Sequence, residues 1–287
     1  MTETPTDLTA RRPDVEHWIS PDAAAREDYS DYWNDESLEL EKHTFYDVLE
    51  GDFGPMERHL EAEGLLADLD HCVQHLRRSG RELRGTGIDL AAGTAWAAPR
   101  LLASGNVERL YCLDYSQHRL LKLGPTVLAH YGVPADRVVL VLGSFYELRL
   151  PDASVDFMFL SQAFHHAERP DDLLAEMRRV LKPDGAVLII GEHLVGWRSY
   201  ARYFRNLAVA RLIPARLQVR LFGRSATVSR ATLRPRARDL FPADQDAGDH
   251  YYSRREYREM FRGHGFSHTR LHRRGAPFHS FVLRPSA

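Results

Sequence analysis

Cysteine, lysine and long apolar runs are scarce in these 287 residues, and each shortage closes off a class of explanation. Two cysteines, Cys72 and Cys112, cannot build a disulfide framework or a four-cysteine zinc site, so a reducing cytoplasm is the expected setting. No apolar run is long enough to span a bilayer, and the polar start from Met1 to Asp14 carries no signal segment. Lysine occurs only at 42, 122 and 182, so arginine carries nearly all the positive charge. The three spaced glycines of a nicotinamide dinucleotide turn are missing too, which argues against a dehydrogenase.

What is present reads as a soluble globular chain, with 44% apolar and 27% charged residues and length enough for a full core. The net charge of −2 conceals a division. Residues 1 to 70 hold 20 of the 40 acids, whereas residues 193 to 238 hold eleven arginines and no acid.

The chain divides by pattern into five parts. Residues 1–20 form an aperiodic tail and 21–84 a helical cap. The cap opens on Ser20-Pro21, a capping residue before a first-turn proline, and ends in a long amphipathic helix from Met56 to Arg78. Residues 85–192 alternate strands with helices, the mark of a doubly wound, mostly parallel α/β sheet. Residues 193–250 are an Arg-rich helical insertion after the fifth strand, and 251–287 add a helix and two strands. The centre of the pattern runs from Gly87 to Tyr115. There Ile88-Asp89-Leu90 precedes a small-residue turn, a helix follows, and a second apolar run ends at Asp114. In such a sheet ligands bind beyond the carboxyl ends of the strands, where an acid such as Asp114 can accept from a ribose.

Asp89-Leu90-Ala91-Ala92-Gly93-Thr94-Ala95 resembles motif I of the class I methyltransferases that use S-adenosylmethionine (SAM), with alanine at two of the three glycine positions. The segment Leu148 to Glu192, with Leu181-Lys182-Pro183-Asp184-Gly185 before an apolar strand, is similar to the small-molecule branch that includes the ubiquinone and menaquinone methyltransferases. The resemblance implies a Rossmann-like sheet of seven strands closed by an antiparallel hairpin, with SAM as cofactor. It implies that Asp89 orients the methionine end, Ala91 and Gly93 approach it closely, Asp114 holds the ribose and Tyr115 lies against the adenine. Ser144 and Phe145 stand where the family has an acid and a small residue. Ser161 and Gln162, at the end of the fourth strand, would meet the middle of the cofactor.

His165, His166, Glu192 and His193 are the candidate catalytic groups, because imidazole near neutral pH can take a proton from an acceptor. Starting a helix and fixing its loop is the plainer role for the paired histidines. A two-histidine-one-carboxylate set of His165, Glu192 and His193 is weighed and set aside, so no metal is expected. Tyr32, Trp33, His43 and Tyr46 of the cap, with Trp197 and Tyr200 of the insertion, would line the substrate pocket. The insertion reads first as a lid whose arginines pair with the acidic cap, then as a basic amphipathic helix on a lipid, then as a nucleic-acid contact; its apolar faces could also serve a homodimer. The expected function is methyl transfer to oxygen, nitrogen or activated carbon of a small molecule, in bacterial secondary metabolism. No nucleic-acid partner is expected. The alternative is a descendant that keeps the fold but binds or rearranges a ligand without methylating it.

Overall fold

The computed structural model describes residues 14–20, 33–36, 45–222, 236–237 and 248–286. Its strands are β1 (Asp14–His17), β2 (Arg84–Leu90), β3 (Asn106–Asp114), β4 (Val138–Leu142), β5 (Val155–Ser161), β6 (Leu181–Glu192), β7 (Phe266–Leu271) and β8 (His279–Pro285). They form one sheet in the order β1-β4-β3-β2-β5-β6-β8-β7. The first six strands of that order are parallel, and the β7–β8 hairpin closes the sheet antiparallel to β6. This is the expected doubly wound α/β sheet with one strand more.

The extra strand lies within the stretch expected to be a loose tail. Asp14–His17 pairs in parallel with Val139 to Leu142, and Trp18 donates its backbone N–H to Leu142 at 2.8 Å. Residues 14–17 are therefore a sheet edge, while residues 1–13 lie outside the described residues.

Helices cover both faces: α1 (Gly54–Ala62), α2 (Leu65–Arg78), α3 (Ala98–Ala103), α4 (Gly124–His130), α5 (Pro170–Val180), α6 (Trp197–Leu212), α7 (Ala215–Phe222) and α8 (Arg254–Gly263). One core layer joins α1, α2, α3 and α4 to the sheet, and the other joins α5 and α8. Every residue of β4 is buried, as its unbroken apolar run requires of a parallel strand.

Two helical stretches, one of them the expected Met56–Arg78 helix, are interrupted. The Met56–Arg78 helix breaks at Gly64, which adopts a left-handed φ of 73° and separates α1 from α2. The Gln117–Tyr131 helix begins as a π-turn at His118–Leu123, because Pro125 has no N–H and its ring crowds the carbonyl four residues back. Pro183-Asp184-Gly185 lies inside β6 as an irregularity, where partners jump from Val155↔Leu181 to Phe157↔Ala186.

In the insertion, Leu207 faces the body of the protein, while Trp197 and Phe204 point outward. The expected pairing of its arginines with the acidic cap has no counterpart among the described residues: none of Arg198, Arg202 or Arg205 meets a carboxylate there. Among the described residues no helix is long and apolar enough to cross a membrane.

Candidate functional site

The carboxyl ends of β2 to β6 open on one cavity of about 420 Å³, within the range of roughly 300–1,000 Å³ that small-molecule sites occupy. The turn after β2 supplies Ala91, Ala92, Gly93, Thr94 and Trp96; β3 and its loop supply Asp114, Tyr115 and Arg119; β4 leads into Gly143, Ser144 and Phe145. From β5 and its loop come Ser161, Gln162, His165, His166 and Glu168, and from the residue just after β6 His193. Trp33, Phe45 and Asp249 close the cavity from outside the sheet.

At one end Asp114 organises two loops. Its Oδ2 accepts from the Gly93 N–H at 2.6 Å and its Oδ1 from the Ser116 N–H at 2.7 Å. Burial raises its pKa, and the two N–H donors pull the other way. Each carboxylate oxygen keeps a second lone pair, so a ligand hydroxyl can still be bound.

Two features ask for a ligand here. Gly93 has φ 55°, and a Cβ there would meet nothing within 4 Å, so the backbone faces open space. Ser161 lines the cavity, and its Oγ is buried without a hydrogen-bond partner. An unpartnered buried hydroxyl costs about 1–3 kcal/mol unless a ligand or water satisfies it. These features, with Asp114, fit a nucleoside cofactor such as SAM.

At the other end stands an imidazole–carboxylate cluster built on Glu192. This side chain is fully buried at the end of β6. Its Oε1 accepts from the Phe164 N–H at 3.2 Å, and its Oε2 accepts from the Tyr257 hydroxyl at 2.7 Å. His165 Nδ1 lies 3.2 Å from the same Oε2. A carboxylate only accepts, so Nδ1 carries the proton; Nε2 lies 4.0 Å from Asp249 Oδ1 and can act as a base only when the ring is neutral. Burial alone would lower the His165 pKa, but the charge and hydrogen bond of Glu192, aided by Asp249, raise it. Burial likewise pushes Glu192 upward, and His165 and Tyr257 outweigh it and hold the carboxyl below its usual range. His166 Nδ1 lies 3.0 Å from Asp249 Oδ1. Burial keeps the pKa values of His166 and His193 below the ordinary imidazole range, so both are neutral near pH 7.

Twelve expected residues meet at this cavity: Trp33, Ala91, Gly93, Asp114, Tyr115, Ser144, Phe145, Ser161, Gln162, His165, His166 and His193. Others do not line it. Asp89 is buried in β2, beside Cys112 of β3 and Phe159 of β5, and is not among the lining residues. Glu192 is fully buried behind His165, which does line the cavity. Tyr46 packs on His118, with ring centroids 6.1 Å apart, and lies away from the cavity. Trp197 is 75% exposed and Tyr200 is not in the lining, which corrects their assignment to the substrate pocket. Tyr32 and His43 lie outside the described residues.

Asp249 was not foreseen, although the polar run Gly248-Asp249-His250 marks the point where the chain re-enters the core. Its carboxylate, not that of Glu192, completes a group with His165 and His166 whose ligand atoms lie within 4.8 Å of one another. A divalent ion there would have to displace the His166–Asp249 pair.

Residues 88–189 match a family model described as a methyltransferase domain. A demethylmenaquinone methyltransferase of Geobacillus stearothermophilus is 27% identical over 196 residues, covering 67% of this chain and 74% of that protein. A malonyl-[acyl-carrier protein] O-methyltransferase of Methylococcus capsulatus is 31% identical over 123 residues, 40% of this chain and 43% of that one. Among solved structures, the DhpI–SAM–HEP complex shares the fold with a TM-score of 0.53 at 16% identity, covering 90% of this chain and 97% of that one.

Proposed function

We propose that this class I SAM-dependent methyltransferase methylates a phenolic or enolic small molecule, with His165 taking the acceptor's proton. The observation that carries the reading is the single cavity with Asp114 and Gly93 at one end and the Glu192-oriented His165 at the other. When bound, SAM supplies an electrophilic methyl group on a sulfonium and leaves as S-adenosylhomocysteine.

Gly93 and Asp114 would hold the nucleoside, and the Ser161 hydroxyl would meet the cofactor's middle. Trp33, Phe45 and Phe145 would pack an aromatic acceptor, since flat rings favour apolar and edge-on aromatic surroundings. His165 Nε2 would accept the acceptor's O–H proton as the new bond to the methyl forms, leaving a neutral methylated product. Glu192, fixed by Tyr257 and the Phe164 N–H, would hold the imidazole in the required tautomer and stabilise the imidazolium. A deprotonated phenol or enol is nucleophilic at oxygen and at the adjacent carbon. That fits relatives named for both menaquinone-precursor and O-methyl chemistry.

Calorimetric titration with SAM, followed by detection of S-adenosylhomocysteine with a panel of phenols and enols, tests the reading. Asp114→Asn is expected to weaken SAM binding at least tenfold, as loss of a charged acceptor does. His165→Gln should leave SAM binding intact and lower kcat by about 10²–10⁴. A folded, ligand-free protein that does not bind SAM would overturn the proposal. SAM binding without turnover of any acceptor would favour the non-methylating alternative.

A further inference from the structure

We propose that α6 and α7 form a docking surface for an anionic lipid bilayer. The inference concerns a surface outside the cavity and does not depend on the methyl-transfer reading.

Along α6, Trp197, Ala201, Phe204, Ala208 and Leu212 are spaced by four, three, four and four residues, which places them on one helical face. That face is exposed from end to end, with Trp197 at 75%, Phe204 at 41% and Leu212 at 80%. The buried Leu207 lies about 100° round the helix from the middle of that stripe. A sixteen-residue helix extends about 24 Å, so the stripe is a long convex ridge rather than a groove. Arg198, Arg202 and Arg205 run along one flank and Arg211 along the other, all exposed. On the next helix exposed Arg216 and Arg220 share one face, with exposed Leu217 and Val219 on its two sides. None of these six arginines meets a carboxylate among the described residues.

An apolar stripe with an aromatic end and arginines on its flanks is the pattern of a helix lying in the plane of a bilayer interface. The stripe enters the headgroup boundary while the arginines reach lipid phosphates. Charge decides against the nearest competitor. A second copy docking through this face would set arginine against arginine, with no acid from residue 193 to 238 to offset it. A nucleic acid would match the arginines but leave the ridge of Trp197, Phe204 and Leu212 against water or phosphate.

Co-sedimentation of the full chain with vesicles tests this, using equal parts phosphatidylglycerol and phosphatidylcholine against phosphatidylcholine alone. Retention is expected on the anionic vesicles only, and it should weaken with added salt. Arg202→Gln with Arg205→Gln should lower partitioning roughly fivefold per arginine. Phe204→Asp with Leu212→Asp should abolish it, with melting temperature and SAM binding unchanged because both side chains are exposed. Equal binding to neutral vesicles, no binding at all, or binding indifferent to these substitutions overturns the proposal. So does a dimer, seen by light scattering, that the Phe204 and Leu212 substitutions dissociate while vesicles are ignored.

Discussion

Ala91 and Ala95 hold φ values of 59° and 57°, where Cβ crowds the following carbonyl oxygen. The spacing of the turn was legible in the sequence, but its conformation was not, because alanine gives no sign of a left-handed backbone. Ala91→Gly is expected to raise unfolding stability by about 1 kcal/mol, measured by denaturant titration. A loss of stability would mean that the turn is not strained. Asp249 escaped the reading because 83 residues separate it from His166, and only the fold brings them to 3.0 Å. The raised pKa of His165 sets the pH response. The neutral base forms only as pH rises through a value above the ordinary 6.5, so kcat should climb as pH rises through that raised value. The stabilisation from the pair is complete below 6.5 and fades as pH rises through the raised value. The lowered pKa of Glu192 adds stability present above 4.5 and lost as pH falls through its folded value. Glu192→Gln removes the countercharge, so burial should move the His165 titration to the acid side, read by pH–rate profile and by NMR.

At the level of elements, the parallel strands were the most legible, since five buried residues such as Val138 to Leu142 admit little else at that length. Helix faces were not. In α6 the series Trp197, Tyr200, Phe204, Leu207 and the series Trp197, Ala201, Phe204, Ala208, Leu212 both have helical spacing, and periodicity alone does not say which points inward. The α1–α2 break was hidden for a related reason: Gly64 sits inside an apolar rhythm that continues past it. Tertiary contacts fix the break. Arg273 donates from Nη2 to the Gly64 carbonyl at 2.9 Å and from Nε to Asp68 Oδ1 at 2.5 Å, tying the cap to the closing hairpin. Arg273→Met leaves the buried Asp68 carboxylate unpaired and should cost about 3 kcal/mol, measured by urea unfolding. A cost near zero would show that Asp68 is solvated once Arg273 is gone.

Across the whole molecule, the strand–helix alternation and the closing hairpin were readable because each unit is local in sequence. The eighth strand was not, since Asp14–His17 is short and polar and becomes a strand only by pairing with β4. It also protects an edge. Without it, the unpaired backbone of a strand whose five residues are all buried would face solvent. Removal of residues 1–17 should therefore lower the melting temperature and promote association, seen by light scattering; a monomer of unchanged stability would show that the edge needs no cover. The same pairing has a consequence in time. Val15 meets Leu140, so β1 leaves the ribosome and must wait for a partner 125 residues behind it. At about 5–20 residues per second, that is an interval of roughly 6 to 25 seconds. Throughout it the nascent sheet has no completed edge, and slowed translation between residues 17 and 138 would lengthen the interval in which a chaperone or a neighbouring chain can take the place of β1.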